Sequence, residues 1–374
     1  MTTLRPGGAC IVELPAGYHD DPPERSGLAA LLAAVLNDPR CGGAPARAAA
    51  QGWRTRHRLD ERCSSFGYAW SRSEHQVSIL DHLRQTRLPA GPAGEAILAD
   101  LRARQTAAID GRRATPLALV GGALDRAAWG TAPHRLLGTP ETVAAVTVAD
   151  LAEAGELVTR ARVYHADQPP DPGVGCATPA GRPPRWRGGL DIVAHPGSDA
   201  RVAVRLPVTR IPVELLDLFV EVLGNGTDGR LHHELRHRNR LAYGFTAAGW
   251  GPAEAASIGA TATVAAEHAA PAMRVLAATL RRLADGVDRR ETGLARWRCR
   301  ATLLAGLDGP FGMVDDARRQ ARGEPRVPDR LAVMAGVDAL PGLSFAPLAP
   351  AVAAVGPFDE RHRAELADVY EEIR

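Results

Sequence analysis

A two-domain α/β (α+β) protein is predicted by three features of the sequence. The chain has 374 residues, more than one core of ordinary size accommodates. A Pro-, Gly- and Arg-rich run at 167–189, DQPPDPGVGCATPAGRPPRWRGG, has no hydrophobic period and reads as a linker. On either side of that run the same order recurs: strands, long helices and a closing strand. The predicted divisions are residues 1–166, the linker 167–189 and residues 190–374. No short-period repeat is present, which argues against a solenoid.

The elements follow from local pattern. CIVEL at 10–14, after a Gly pair, is a first strand. A turn on Asp20-Asp21-Pro22-Pro23 enters a helix that Ser26 can cap. Leu28, Leu31, Leu32 and Val35 make its packed face, while Ala30, Ala33 and Ala34 leave the other face bare. Residues 38–62 hold no strong period, and Phe66 to Trp70 alternates as a strand does. Val77, Ile79 and Leu80 lead a helix that ends before Pro89, and a helical pattern resumes at 95–105. Thr139 and Thr147 cap two further helices, and 162–165 is the strand closing the first half.

The second half opens with strands at 191–193 and 201–206. Leu216, Phe219, Val220 and Leu223 then recur at helical spacing, until Gly224-Asn225-Gly226 stops the helix. A second helix carries Arg230 to Arg238, and 241–245 leaves it as a strand. Ile258, Ala260, Ala262 and Val264 alternate as a half-buried strand. Met273, Leu276, Leu280 and Leu283 mark an amphipathic helix. Helices at 291–307 and 311–322, a final strand at 345–358 and a Glu- and Arg-rich helix complete the chain.

Composition narrows the function. Hydrophobic content of 45% and charged content of 24% are those of a soluble globular protein. The net charge of +2 and aromatic content of 5% give no footprint for nucleic acid. Every basic residue is arginine, since the sequence contains no lysine. Cys10, Cys41, Cys63, Cys176 and Cys299 are odd in number, with no CxxC spacing. They read as thiols in a reducing compartment, without a disulfide or zinc framework. No signal peptide and no apolar run of membrane-spanning length is visible, so a cytoplasmic protein without membrane contact is expected.

Two chemistries compete in GNGTDGRLHHELRHRNRLAYGF. His233, Glu234 and His237 form HExxH, which on a helix presents two imidazoles to a zinc with a glutamate as general base. That site needs a third ligand, for which Glu254 or Glu267 is available, and the motif is short enough to arise by chance in a His- and Arg-rich helix. Alternatively, Arg236 near a helix end and Tyr243 at a strand start converge to bind and polarise a peptide carbonyl. The ordinary reading of each is a solvated helix charge and a phenol at a strand edge. Gly224-Asn225-Gly226 lacks the GK[ST] of a phosphate loop and is read as a helix stop.

The same stretch resembles the M16 zinc peptidases, whose second half carries a helix, a Gly-rich turn, an "ELRE" helix and "GLAY" leading into a strand. The resemblance extends to HRLLGTPE at 134–141, to 147–151 and to the closing VAAVGP. It implies two homologous domains, each a mostly antiparallel sheet packed with helices, facing across a cleft. In that family an arginine and a tyrosine contact the substrate backbone, and they correspond to Arg236 and Tyr243.

The family's zinc helix reads "SGLAHxLEHML", in which the inverted HxxEH supplies two ligands and the base. Aligned through Ser26-Gly27-Leu28-Ala29, those three positions fall on Ala30, Ala33 and Ala34. The third ligand, a downstream glutamate, falls on Ala107 or Ala108. Alanine offers a metal no lone pair. The resemblance therefore implies a non-catalytic subunit of a heterodimer. It would have no cofactor of its own and would work with an HxxEH-bearing catalytic M16 subunit that holds zinc. The substrate would be a peptide, and a leader segment is one class that bacterial relatives process. A stand-alone HExxH peptidase and a pure scaffold remain as alternatives.

Overall fold

A computed structural model describes residues 8–43, 48, 50, 52–60, 62–70, 79–130, 136–165, 185–224, 226–251 and 256–374. Val77, His134, Arg135, Cys176, Asn225, Glu254 and most of the linker lie outside the described residues. The chain forms two compact units that are not the two sequence halves. One comprises residues 1–111, 134–181 and 304–327, and the other residues 112–133, 182–303 and 328–374.

The first unit holds a four-stranded sheet, β1 (Gly8–Leu14), β2 (Arg54–Leu59), β3 (Ser64–Trp70) and β4 (Arg162–His165), in the order β2-β3-β1-β4. All its neighbours are antiparallel. Its helices include α1 (Leu28–Asn37), α2 (Ile79–Gln85) and α3 (Pro92–Arg113). The helix α4 (Pro116–Trp129) belongs to the second unit, whereas α5 (Pro140–Ala145) and α6 (Val148–Gly155) belong to the first.

Alternation along β1 explains how the first unit packs. Cys10, Val12 and Leu14 join Leu31, Leu36, Phe66 and Leu98 in one core, while Ala9 and Ile11 point to the opposite face. That face is covered from far along the chain, by Val314 and Phe311 at the helix Gly312–Ala321. The apolar run CIVEL is thus a strand buried on both faces.

Among the described residues the second unit has five strands: β5 (Gly189–Ala194), β6 (Asp199–Pro207), β7 (Ala242–Trp250), β8 (Ser257–Ala265) and β9 (Ala351–Gly356). Their order is β5-β9-β6-β8-β7, with the β5–β9 pair parallel and the others antiparallel. After α7 (Val213–Gly224) come α8 (Ala269–Arg281), α9 (Arg289–Leu307), α11 (Val327–Ala335) and α12 (Glu360–Ile373), while α10 (Gly312–Ala321) belongs to the first unit. Val202, Val204, Ile258, Ala260 and Ala262 face the main core with Phe219, Met273 and Leu366. The other face, Ala203, Ala351, Ala353 and Val355, is covered by Val120, Ala123, Leu124 and Ala127 of α4. Each sheet therefore takes one covering helix from the other sequence half, where a division at the linker alone would separate them.

The mixed α/β class and the dominance of antiparallel pairing agree with expectation. Three local readings change. The segment at 38–62 contains β2, and the final strand is confined to Ala351–Gly356. The helix expected at 230–238 is a π-helix, His232–Arg238. Cys10, Cys41, Cys63 and Cys299 are free and buried. Among the described residues, no helix is long and apolar enough to cross a membrane.

Candidate functional site

The site in the second unit starts with the π-helix. Asn239 N donates to Glu234 O at 3.2 Å, five residues back, and Leu241 N donates to Leu235 O at 2.8 Å. Leu235 anchors this wide turn in the core, leaving Arg236 and His237 exposed. Arg240 then takes φ 53, the one positive φ outside glycine among the described residues, and turns the chain into β7.

β7 lies at the sheet edge, and it begins irregularly. Ala242 pairs with Val264 and Gly244 with Thr263, so Tyr243 is an extra residue without an opposite. Such a bulge re-aims a side chain. The Tyr243 phenol is 73% exposed, and its backbone carbonyl accepts from Arg236 Nη2 at 3.1 Å. Arg236, Arg240, Leu241, Tyr243, Glu267 and His268 are among the residues lining an open pocket of about 270 Å³. The structure thus brings Arg236 and Tyr243 together. A guanidinium carries five N–H donors, so Arg236 retains several for a ligand, and the phenol adds an O–H donor. Both suit an incoming carbonyl oxygen.

The HExxH residues are arranged differently. The His233 and His237 rings stand 6.4 Å apart, and the ring nearer to His237 is His232, edge-on at 4.7 Å. Glu234 is engaged by Arg282 at 3.0 Å and Arg238 at 3.6 Å, so its carboxylate is an ion-pair partner where the motif would need a base. Glu267 lines the Arg236 pocket. Among the described residues, no group of three His, Cys, Asp or Glu side chains is placed to hold a metal ion.

The alanines of the first unit are not all on one bare face. Ala30 and Ala34 are half-buried on α1, whereas Ala33 is 2% exposed and belongs to the core with Leu31 and Leu32. None carries an atom that could donate to a zinc ion. Ala107 and Ala108 are exposed on α3. The α3 side chain that reaches the start of α1 is Gln105, which donates to Gly27 O at 3.1 Å and Leu137 O at 2.7 Å. Asp100 pairs with Arg40 at 2.6 Å and with Arg104 at 2.8 Å.

The cap of α1 also differs from expectation. Ser26 makes no side-chain cap; Asp21 accepts from Gly27 N at 2.7 Å and Ala29 N at 2.9 Å. Burial pushes the Asp21 carboxyl up to about 6 against the opposing pull of these backbone donors. A cap seven residues before the helix depends on the left-handed Gly27, φ 98, which folds the loop back. An aspartate before two prolines gives no local sign of that role.

Residues 164–298 match the family described as Peptidase M16 inactive domain. No curated protein matches the chain. Similar solved structures include the peptidase M16 inactive domain of Pseudomonas fluorescens, 16% identical with a TM-score of 0.68, over 95% of this chain and 94% of that one. A protease of Helicobacter pylori is 13% identical with a TM-score of 0.70, over 96% and 95%. A chain of complex III from Candida albicans is 14% identical with a TM-score of 0.62, over 98% and 95%. Identities at this level establish a shared fold, and the family match rests on residues 164–298. HxxEH occurs nowhere in the sequence. Residues 164–298 match the M16 inactive-domain family, and the chain as a whole shares the fold of the solved structures it resembles.

Proposed function

We propose that this chain is the non-catalytic subunit of a paired M16 peptidase, orienting a peptide for a partner that carries HxxEH and zinc. The observation that carries the reading is the convergence of Arg236 and Tyr243 at the bulged start of an edge strand, beside an open pocket. Two donors there can hold and polarise a peptide carbonyl, and fixed donors are most effective where charge develops on oxygen. An edge strand adds backbone hydrogen bonds to an extended substrate with little dependence on its sequence. The substrate would be a peptide in an extended state, with a leader segment as one class.

The experiment is reconstitution. The purified chain should contain no stoichiometric zinc and cleave no peptide by itself, and adding a zinc-bearing M16 subunit should restore cleavage. Zinc bound at one equivalent, with hydrolysis lost in Glu234→Gln, would instead establish the HExxH reading. A scaffold role is the second reading. It is favoured by the bond from Arg236 to the chain's own Tyr243 carbonyl, and by the fold shared with a chain of complex III. Turnover unchanged by Arg236→Ala and Tyr243→Phe would select it.

A further inference from the structure

We propose that the pocket beside Tyr243 takes a carboxylate of the bound peptide, an acidic side chain or the chain end, with Arg240 as the residue that reads it. This deepens the peptide-handling reading and rests on it for the presence of a peptide ligand.

RHRNR at 236–240 places three arginines at the end of the π-helix. Two are engaged: Arg238 approaches Glu234 at 3.6 Å, and Arg236 donates to the Tyr243 carbonyl at 3.1 Å. Arg240 is exposed, lines the pocket and makes no ion pair or side-chain hydrogen bond among the described residues. Its backbone, at φ 53, lies in the left-handed region, which glycine enters freely and a residue with a Cβ enters at a cost. Residues held in such conformations gather at ligand sites. The turn is closed by backbone donors, Asn239 N to Glu234 O and Leu241 N to Leu235 O, so it does not use the Arg240 side chain. An exposed arginine can simply be solvated, but glycine would serve that turn better.

The lining carries two guanidiniums, Arg236 and Arg240, against one carboxylate, Glu267, which stands beside His268 in the turn after β8. The balance is positive whether or not His268 holds a second proton. Among the described residues, Glu267 forms no ion pair with either arginine. At about 270 Å³ the space suits one side chain or a chain end, and falls below the roughly 300–1,000 Å³ of sites for whole small molecules. A guanidinium presents a planar fork that matches both oxygens of a carboxylate. An amide of the same shape offers one oxygen and no charge, so exchanging Glu for Gln in a peptide isolates what Arg240 contributes. Glu267 opposes the same anion.

The test uses the full chain and short fluorescein-labelled peptides of one Ala/Thr background, read by anisotropy. The first carries a central Glu and an amidated end, the second a central Gln and an amidated end, and the third the Gln with a free carboxyl end. The Glu or the free-acid peptide should bind about tenfold more tightly than the Gln amide, the size of one charge-assisted hydrogen bond. Whichever gains identifies the source of the carboxylate. Arg240→Gln should abolish the gain, and Glu267→Gln should enlarge it. Arg240→Gly should abolish it too, while the thermal midpoint stays level or rises as the left-handed backbone is relieved. A gain that survives both Arg240 substitutions, or that shrinks in Glu267→Gln, would overturn the inference. Equal binding of the three peptides, lost in Arg236→Ala, would overturn it while leaving the peptide-handling reading in place. A gain that needs Arg240 but is indifferent to Arg236→Ala and Tyr243→Phe would uphold the pocket and remove the carbonyl-holding role. Failure of every peptide to bind would sink both.

Discussion

The guanidinium of Arg236 donates to the backbone carbonyl of Tyr243 at 3.1 Å, tying the end of the π-helix to the first turn of the edge strand. This bond holds the cation next to the exposed phenol. In a reconstituted complex with a zinc-bearing subunit, Arg236→Ala should lower kcat/KM by about ten- to a hundredfold, below the loss seen when a full oxyanion-hole donor is removed. Arg236→Lys should recover little, since a point charge does not reproduce the planar fork. Size-exclusion chromatography should show assembly unaffected.

Gly224 ends α7 against β7. A Cβ there would meet the Ala247 Cβ at 2.6 Å and its backbone N at 2.9 Å, and the strand backbone cannot yield as a flexible side chain does. Gly224→Ala should destabilise the protein by about 1–3 kcal/mol. A lower urea midpoint would register the loss.

Glu13 is 2% exposed in β1, where Arg318 Nη1 approaches its carboxylate at 3.3 Å and Arg322 donates to the same oxygen. Tyr164 Oη donates to the other oxygen at 3.5 Å. Removing Glu13 takes away the carboxylate that Arg322 and Arg318 share, leaving Arg318 to Asp315 at 3.3 Å, and breaking such a buried cluster costs about 3–5 kcal/mol. Glu13→Ala should therefore be among the most destabilising single changes in the first unit, as measured by denaturant unfolding.

Two carboxyls should shape acid stability in opposite directions. The Thr147 backbone N–H, at 2.7 Å, followed by the Thr147 hydroxyl and Arg25, holds Asp150 below its ordinary value. Its stabilising contribution is present above the unfolded pKa of about 4 and is lost as pH falls through the folded value. Asp21 behaves the other way. Raised to about 6 by burial, it binds its proton more tightly when folded, so its contribution is full below about 4 and disappears as pH rises through 6. Urea midpoints measured against pH should lose the decline between 4 and 6 in Asp21→Asn, and part of the acid loss in Asp150→Asn.

Burial pushes the Cys10 and Cys299 thiols up to about 12, and raises Cys41 as well. Since the thiolate is the reactive form, iodoacetamide at pH 8 should leave these three unmodified in the native protein and label them in urea. Mass spectrometry of the peptides would resolve each site, and labelling of native Cys10 would contradict its burial.

The sequence by itself determined the mixed α/β class and most of the elements, and it singled out Arg236 and Tyr243 as residues seven apart at a helix end and a strand start. Apolar residues at periods of two and 3.6 fix strands such as β8 and helices such as α7 wherever one face meets a core. β2 escaped because RTRHRL packs no apolar stripe of its own; it becomes a strand by pairing with β3. The alanines of α1 were legible as residues that cannot hold zinc, but the burial of Ala33 was not. Only tertiary structure decided that Gln105, rather than Ala108, meets the start of α1, that Glu234 is taken by Arg282, and that a bulge turns Tyr243 outward. It also decided that α4 covers the second unit's sheet and α10 the first's. Local spacing records which face of an element is apolar, whereas the surface that covers that face comes from distant chain and is chosen by packing.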